Sequence, residues 1–249
     1  MMTMITSLQN EQIKQIKKLQ KAKERRKQQQ FILEGFHLVE EAIQSGWPLE
    51  SVLFETGAKL PELPVGLNCI EVSRKVLEHL SETETPQGIL AVAGMKETAL
   101  PEQVNFVLVC DSVQDPGNLG TMIRTADAAG FGAVICGTGT VDPYNDKTIR
   151  ATQGSLFHIP VMNGDLAEVL PKLKSQGIHL WAAALEGAVD YDKADNPGKL
   201  AIIVGNEGAG ISDEVLALAD TIVKIPIYGS AESLNVSVAA GILMYEAKK

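Results

Sequence analysis

The chain has 249 residues, 45% of them hydrophobic, and a formal net charge of −9 from 22 Lys/Arg against 31 Asp/Glu. That length holds one large or two ordinary domains, no apolar run approaches the roughly 20 residues of a membrane span, and the acidic balance excludes a simple basic nucleic-acid binder. Cys69, Cys110 and Cys136 are odd in number and far apart, and four histidines are equally scattered, so neither a disulfide framework nor a metal site is expected.

The opening MMTMITSLQNEQ lacks the basic-then-apolar pattern of a signal segment. A cytoplasmic protein is therefore expected, and an added leader at Met1 to Thr6 stays open. Residues 1–30 hold eight Lys/Arg against Glu11 and Glu24, a balance of +6 that leaves −15 for the rest. Gln9 to Gln30 has no Gly or Pro and reads as one helix with a thin apolar stripe at Ile13, Ile16 and Leu19. Such a basic helix either tracks a phosphate backbone or is simply a solvated face.

Strands are predicted at 31–35, 49–55, 68–73 and 87–94, with helices at 36–46 and 74–83. This small α/β block contains no catalytic cluster; Glu34 and His37 read as capping or hydrogen-bonded groups. MKETALPEQ (95–103) reads as a linker. Two domains follow, residues 1–98 and 103–249.

In the second, an apolar strand over 106–110 ends at Asp111, a DPGN turn follows, and Leu119 to Ala129 forms a helix before the strand AVICG. This βαβ pattern predicts a parallel sheet. Arg124 interrupts an otherwise small and apolar helix, six residues after Asn118, as a functional group or a surface arginine paired with Asp127. A helix over 145–152, a glycine turn and strand over 152–161, a helix over 165–176, a strand over 178–187 and a loop over 190–199 complete the middle.

The last third is the most telling. AIIVGNEGAGIS runs an apolar strand into a glycine-rich turn, and TIVKIPIYGSAESLN runs a second strand into another turn that opens a long apolar helix. Ligands in open α/β sheets bind outside the carboxyl ends of strands. Gly205, Gly208 and Gly210 leave backbone uncovered, Glu207, Ser233 and Asn235 add polar side chains, and Ala184 to Gly187 falls beside them in a parallel sheet. The spacing is neither a dinucleotide fingerprint nor a P-loop. The plainer reading is a tight turn and a helix start with Ser212 as N-cap.

DSVQDPGNLGTMIRTADAAG, IIVGNEGAGIS and IPIYGSAESLNVSVAAGI resemble, in order and spacing, the three motifs of the SpoU class of RNA ribose 2′-O-methyltransferases, over about residues 104–247. FILEGFHLVEEA and TPQGILAV are similar to the L30e-like substrate-binding domain often placed ahead of it. The resemblance implies an α/β parallel-sheet domain with a deep trefoil knot, preceded by a small L30e-like α/β domain. It implies S-adenosylmethionine as methyl donor, ribosomal RNA (most of all 23S) as substrate, and a homodimer. A tRNA methyltransferase of the same family and a non-catalytic RNA-binding assembly factor are the alternatives. Carried over by motif, Gly205, Ile225 and Leu234 match the donor-binding positions, and Gly208, Ala184 and Leu185 are expected to join them from the adjoining turns; Asn118, Arg124, Glu207, Ser233 and Asn235 match the polar active-site positions. The resemblance makes Arg124 the base, directly or through Ser233; because arginines stay protonated, holding the adjacent phosphate is the less demanding role, and Glu207 is left as a positioning group or a proton relay.

Overall fold

The computed structural model describes residues 4–249; Met1, Met2 and Thr3, part of the stretch considered as a leader, lie outside the described residues. Ile5 is already bound into the fold through a parallel bridge to Val72. The chain divides into two compact units, residues 1–96 with 144–157, and residues 97–143 with 158–249.

The first unit opens with two short helices rather than the single helix expected: α1 (Glu11–Lys18) and α2 (Ala22–Gln28). Ile13, Ile16 and Leu19 are buried against the sheet and the helix at 74–80. The chain breaks there because Arg25, itself buried, donates to the Leu19 and Gln20 carbonyls at 3.0 and 2.9 Å, caring for acceptors that a continuing helix would have used. β1 (Gln30–Glu34), α3 (Phe36–Gln44), β2 (Leu49–Phe54), β3 (Asn68–Glu71), α4 (Arg74–Leu80) and β4 (Ile89–Gly94) follow close to the predicted positions. The sheet order is β1-β4-β2-β3, with β4 antiparallel to both neighbours and β2 parallel to β3. Glu34 and His37 are hydrogen-bonded groups: Glu34 accepts from Ser81, Thr83 and the Glu82 N–H, and His37 Nε2 lies 3.2 Å from the Gln153 carbonyl oxygen.

The second unit is built on β5 (Phe106–Cys110), α5 (Pro116–Ala128) and β6 (Ala133–Cys136). The chain then runs into the first unit as α6 (Asp146–Thr152) and a 3₁₀ turn (Ser155–Phe157). This segment was expected within a continuous second domain from residue 103. The strand expected over 152–161 is also displaced, because Gln153 and Gly154, both at positive φ, turn the chain. The strand is β7 (Val161–Asn163). α7 (Leu166–Ser175), β8 (His179–Ala183), β9 (Val189–Asp190), β10 (Leu200–Val204), α8 (Asp213–Leu216), β11 (Thr221–Lys224) and α9 (Val236–Glu246) complete it.

All pairings of the seven-stranded sheet are parallel, in the order β7-β6-β5-β10-β8-β11-β9. The central strand LAIIV is buried throughout, as expected of a parallel sheet covered on both faces. Val107, Val109, Ala201 and Ile203 face α7 and α8, while α5 and α9 pack together on the other side with α9 against β10. Among the described residues no helix is long and apolar enough to cross a membrane.

Candidate active site

β10, β8 and β11 are neighbours in the sheet, and the loops leaving their carboxyl ends, Gly205–Ile211, Ala184–Glu186 and Ile225–Asn235, line one cleft of about 760 Å³. Ala183, Val204, Ile225, Leu234 and Leu243 make it largely apolar; Glu186 and Asp213 add carboxylates. Nine of the eleven residues singled out from the sequence line it: Ala184, Leu185, Gly205, Glu207, Gly208, Ile225, Ser233, Leu234 and Asn235.

Asn118 is not a lining residue, but it is tied in. Its amide nitrogen donates to Glu207 Oε1 at 3.0 Å, and its carbonyl oxygen accepts from Asn235 Nδ2 at 3.0 Å. At the far end, Asn235 Oδ1 caps α9 by accepting from the Ser237 and Val238 N–H groups. The cap fixes which end of Asn235 is the donor, and that fixes the orientation of Asn118 in turn. Glu207 anchors the other end, accepting also from the Gln114 and Asp115 N–H groups at 3.1 and 3.0 Å. Burial alone would push its carboxyl up, but the bonds from Asn118, Gln114 and Asp115 outweigh this and hold it below the ordinary glutamate range. It is an anion that only accepts, suited to fixing the amide chain rather than to giving up a proton.

Arg124 is not brought to the cleft. Six helical residues from Asn118 amount to about one and two-thirds turns, which sets it on a different face of α5. There it is exposed and, among the described residues, free of hydrogen bonds and ion pairs; the pairing with Asp127 is not formed.

The glycine loop differs in detail from a cradle of free backbone groups. Asn206 N and O bond Gly210 O and N at 2.8 and 2.9 Å, and Asn206 Oδ1 accepts from the Gly208 and Ala209 N–H groups, both at 2.9 Å. The N–H groups of 208, 209 and 210 are therefore taken up inside the loop, and what the loop offers a ligand is room. Gly205 is required by this closure: a Cβ there would overlap the Gly210 carbonyl and the Ile211 nitrogen. At Gly208 a Cβ meets nothing nearer than Asn206 Oδ1 at 3.6 Å.

Three residues tie this arrangement together in a way the sequence did not announce: Asn206, and Asp111 and Ser212, which read only as a strand end and a helix cap. Asn206 Nδ2 donates to the Ser112 carbonyl at 2.9 Å. Ser212 precedes α8 as its N-cap residue but makes no side-chain cap; its N–H and hydroxyl both donate to buried Asp111 Oδ2 at 2.8 Å. The signal available was Asp111 directly after β5 and Asn206 just past Gly205 at the end of β10, polar groups at the ends of two adjacent apolar strands.

A family model described as SpoU rRNA Methylase family matches residues 105–245, and one described as MRM3-like substrate binding domain matches residues 10–91. The 23S rRNA (guanosine(2553)-2′-O)-methyltransferase RlmP of Bacillus subtilis is 45% identical over 98% of both chains. An AdoMet-bound rRNA methyltransferase from Sinorhizobium meliloti superposes with a TM-score of 0.90 at 33% identity, covering 99% of this chain and 97% of that one. The SpoU methyltransferase AviRb from Streptomyces viridochromogenes in complex with AdoMet gives 0.89 at 29% identity, covering 96% and 97%. By the span of the family model and the identity to its relatives, the chain belongs to the SpoU rRNA methylase family.

Proposed function

We propose that this protein transfers a methyl group from S-adenosylmethionine to a ribose 2′-hydroxyl of 23S ribosomal RNA. The observation that carries the reading is the cleft at the ends of β10, β8 and β11, with the Glu207–Asn118–Asn235 chain at its edge. Its volume is in the range of small-molecule sites, and apolar walls with Glu186 and Asp213 suit a cationic donor that carries an adenosine. Gly205, Gly208, Ile225, Leu234, Ala184 and Leu185 are the residues that would hold it. The bound donor supplies an electrophilic methyl, so the protein's task is position and charge.

Ser233, at the cleft and without a hydrogen-bond partner among the described residues, orients the 2′-hydroxyl together with the two asparagine amides. Glu207 acts as the positioning group for those amides. Arg124, exposed and away from the cleft, is assigned the role of holding a backbone phosphate next to the target nucleotide, for which a guanidinium fork is suited, rather than that of the base. A trefoil knot in the C-terminal segment, a cytoplasmic location and a homodimer built on α9 complete the reading. Along α9, Val238 and Tyr245 are 51% and 57% exposed, with Gly241 and Ile242 half-buried on the same stripe.

The test is methyl incorporation from labelled donor into protein-free 23S RNA, with the ribose position mapped in RNA from a deletion strain. Incorporation into tRNA alone would overturn the substrate; donor binding without any transfer would favour the assembly-factor reading.

A further inference from the structure

The two units carry very different charge. Fourteen Lys/Arg stand against thirteen Asp/Glu in the first, a net +1, and eight against eighteen in the second, a net −10. Of the eight cations in the second unit, Lys172, Lys174, Lys193 and Lys249 are already paired with carboxylates. The unit that holds the reaction cleft therefore has little electrostatic attraction for a polyanion, and an uncharged contact must help to seat the nucleotide there.

Tyr228 is such a contact. It follows Ile227, a wall of the cleft, in the loop that brings Ser233 and Asn235 to it. Its side chain is 95% exposed, it makes no hydrogen bond among the described residues, and every residue from 228 to 235 is exposed. The surroundings match a nucleotide. Lys224 lines the cleft and sits opposite Asp190 in the β11–β9 pairing, and Lys193 bonds Asp190 at 2.7 Å. Lys193 is held protonated by Asp190 foremost, with Tyr228 among its lesser electrostatic neighbours. An exposed aromatic ring on the loop that follows a cleft wall offers a face for a base, and Lys224 in the cleft offers charge for a phosphate.

Resting on the reading of the chain as an RNA 2′-O-methyltransferase, we propose that Tyr228 is the platform on which a base of the substrate RNA stacks beside the cleft, holding its ribose for transfer. Stacking needs the ring and not the hydroxyl. The experiment uses the full chain and a 23S RNA fragment spanning the guanosine methylated by the Bacillus subtilis relative, with 2-aminopurine placed at that nucleotide or either neighbour. Wild type is expected to quench one of these probes on binding. Tyr228→Ala is expected to lose the quench and raise KM for the RNA about 5- to 100-fold, the scale of one base–aromatic stack. Donor affinity should stay put, and Tyr228→Phe and Tyr228→Trp should restore both readouts.

Equal KM and quench in Tyr228→Ala overturn the proposal. So does a Phe variant as poor as Ala, which would make the hydroxyl the working group. A shift of Tyr228→Ala from dimer to monomer in sedimentation overturns it too, by making the ring an interface residue. Failure of the wild type to methylate the fragment or 23S RNA at all is a separate outcome that sinks the functional reading and this proposal with it.

Discussion

Glu207 shows how much one side chain organises. Its carboxylate holds three donors, and the amides of Asn118 and Asn235 take their orientation from it and from the α9 cap. Glu207→Gln turns one acceptor into a donor facing donors, so kcat is expected to fall by about 10-fold or more, on the scale of ~1.5–3 kcal/mol for bonds to a charged group. Donor affinity should change little; an unaltered kcat would refute the positioning role. Because the carboxyl is held below its ordinary value, its stabilising contribution is present above the glutamate range near about 4.3 and is lost as pH falls through the depressed value. An acid titration of wild type and Glu207→Gln should therefore diverge above that range and converge below it.

The two glycines separate by the same logic. Gly205→Ala is expected to unfold the loop and lower Tm, since its Cβ has no room. Gly208→Val is expected to leave Tm near wild type and weaken donor binding strongly, because only a ligand opposes its side chain. Calorimetric donor titration of the folded Gly208→Val protein decides; wild-type affinity would sink the idea that the loop serves by leaving space. Arg124→Ala is expected to abolish transfer with donor affinity intact, and Arg124→Lys to be nearly as poor, because a point charge does not replace the guanidinium fork. Normal turnover in either would remove the arginine from the mechanism.

The basic N-terminal segment looks different once its helices are placed. Lys17 donates to the His79 carbonyl at 2.6 Å, and Arg25 is a buried brace on Leu19 and Gln20. Neither is available as a free phosphate contact, although charge counting grouped them with the rest. The exposed cations are Lys18, Lys21, Lys23, Arg26 and Lys27. Changing those five to Gln is expected to weaken RNA binding and flatten its salt dependence without lowering Tm. Arg25→Gln, in contrast, is expected to cost about 1–3 kcal/mol of stability by leaving carbonyls unpaired. Filter binding at several salt concentrations, paired with thermal melts, checks both; an unchanged salt slope in the five-fold variant would make these helices a solvated face only.

Elements were legible where local rules govern. LAIIV, FVLVC and AVIC read as apolar strands of a parallel sheet and form three of its neighbouring strands, and Asn235 before an apolar run is a helix start. What was hidden depends on contacts distant in sequence. Nothing near Leu19 announces a break, because its cause is a side chain six residues on. The loop role of Asn206 could not be read because three of its partners are backbone N–H groups that look free in a string of glycines. Motif order named nine residues that line one cleft, yet it carries no information on which face of α5 Arg124 occupies.

At the scale of the molecule, charge and apolar surface divide the labour. The net +1 unit with its exposed basic helices is expected to make the first contact with RNA, and the cleft of the net −10 unit is expected to carry the transfer. The apolar stripe of α9 is expected to hold two copies together. Wild type should sediment as a dimer of 26.7 kDa chains at micromolar concentration, and Val238→Glu with Ile242→Glu should sediment as a monomer. A monomeric wild type would contradict this.

The excursion of residues 144–157 has a consequence for how the protein is born. Tyr144 packs on Phe31 at 4.7 Å between ring centroids, and Phe157 packs on Trp47 at 5.2 Å. The first unit thus lacks part of its own core until residue 157 has been synthesised, by which time β5, α5 and β6 of the second unit already exist. Ribosomes usually release domains one after another, each finished before the next begins. Here the order of translation is not the order of completion: the amino-terminal unit waits, half-walled, on a segment made in the middle of its neighbour.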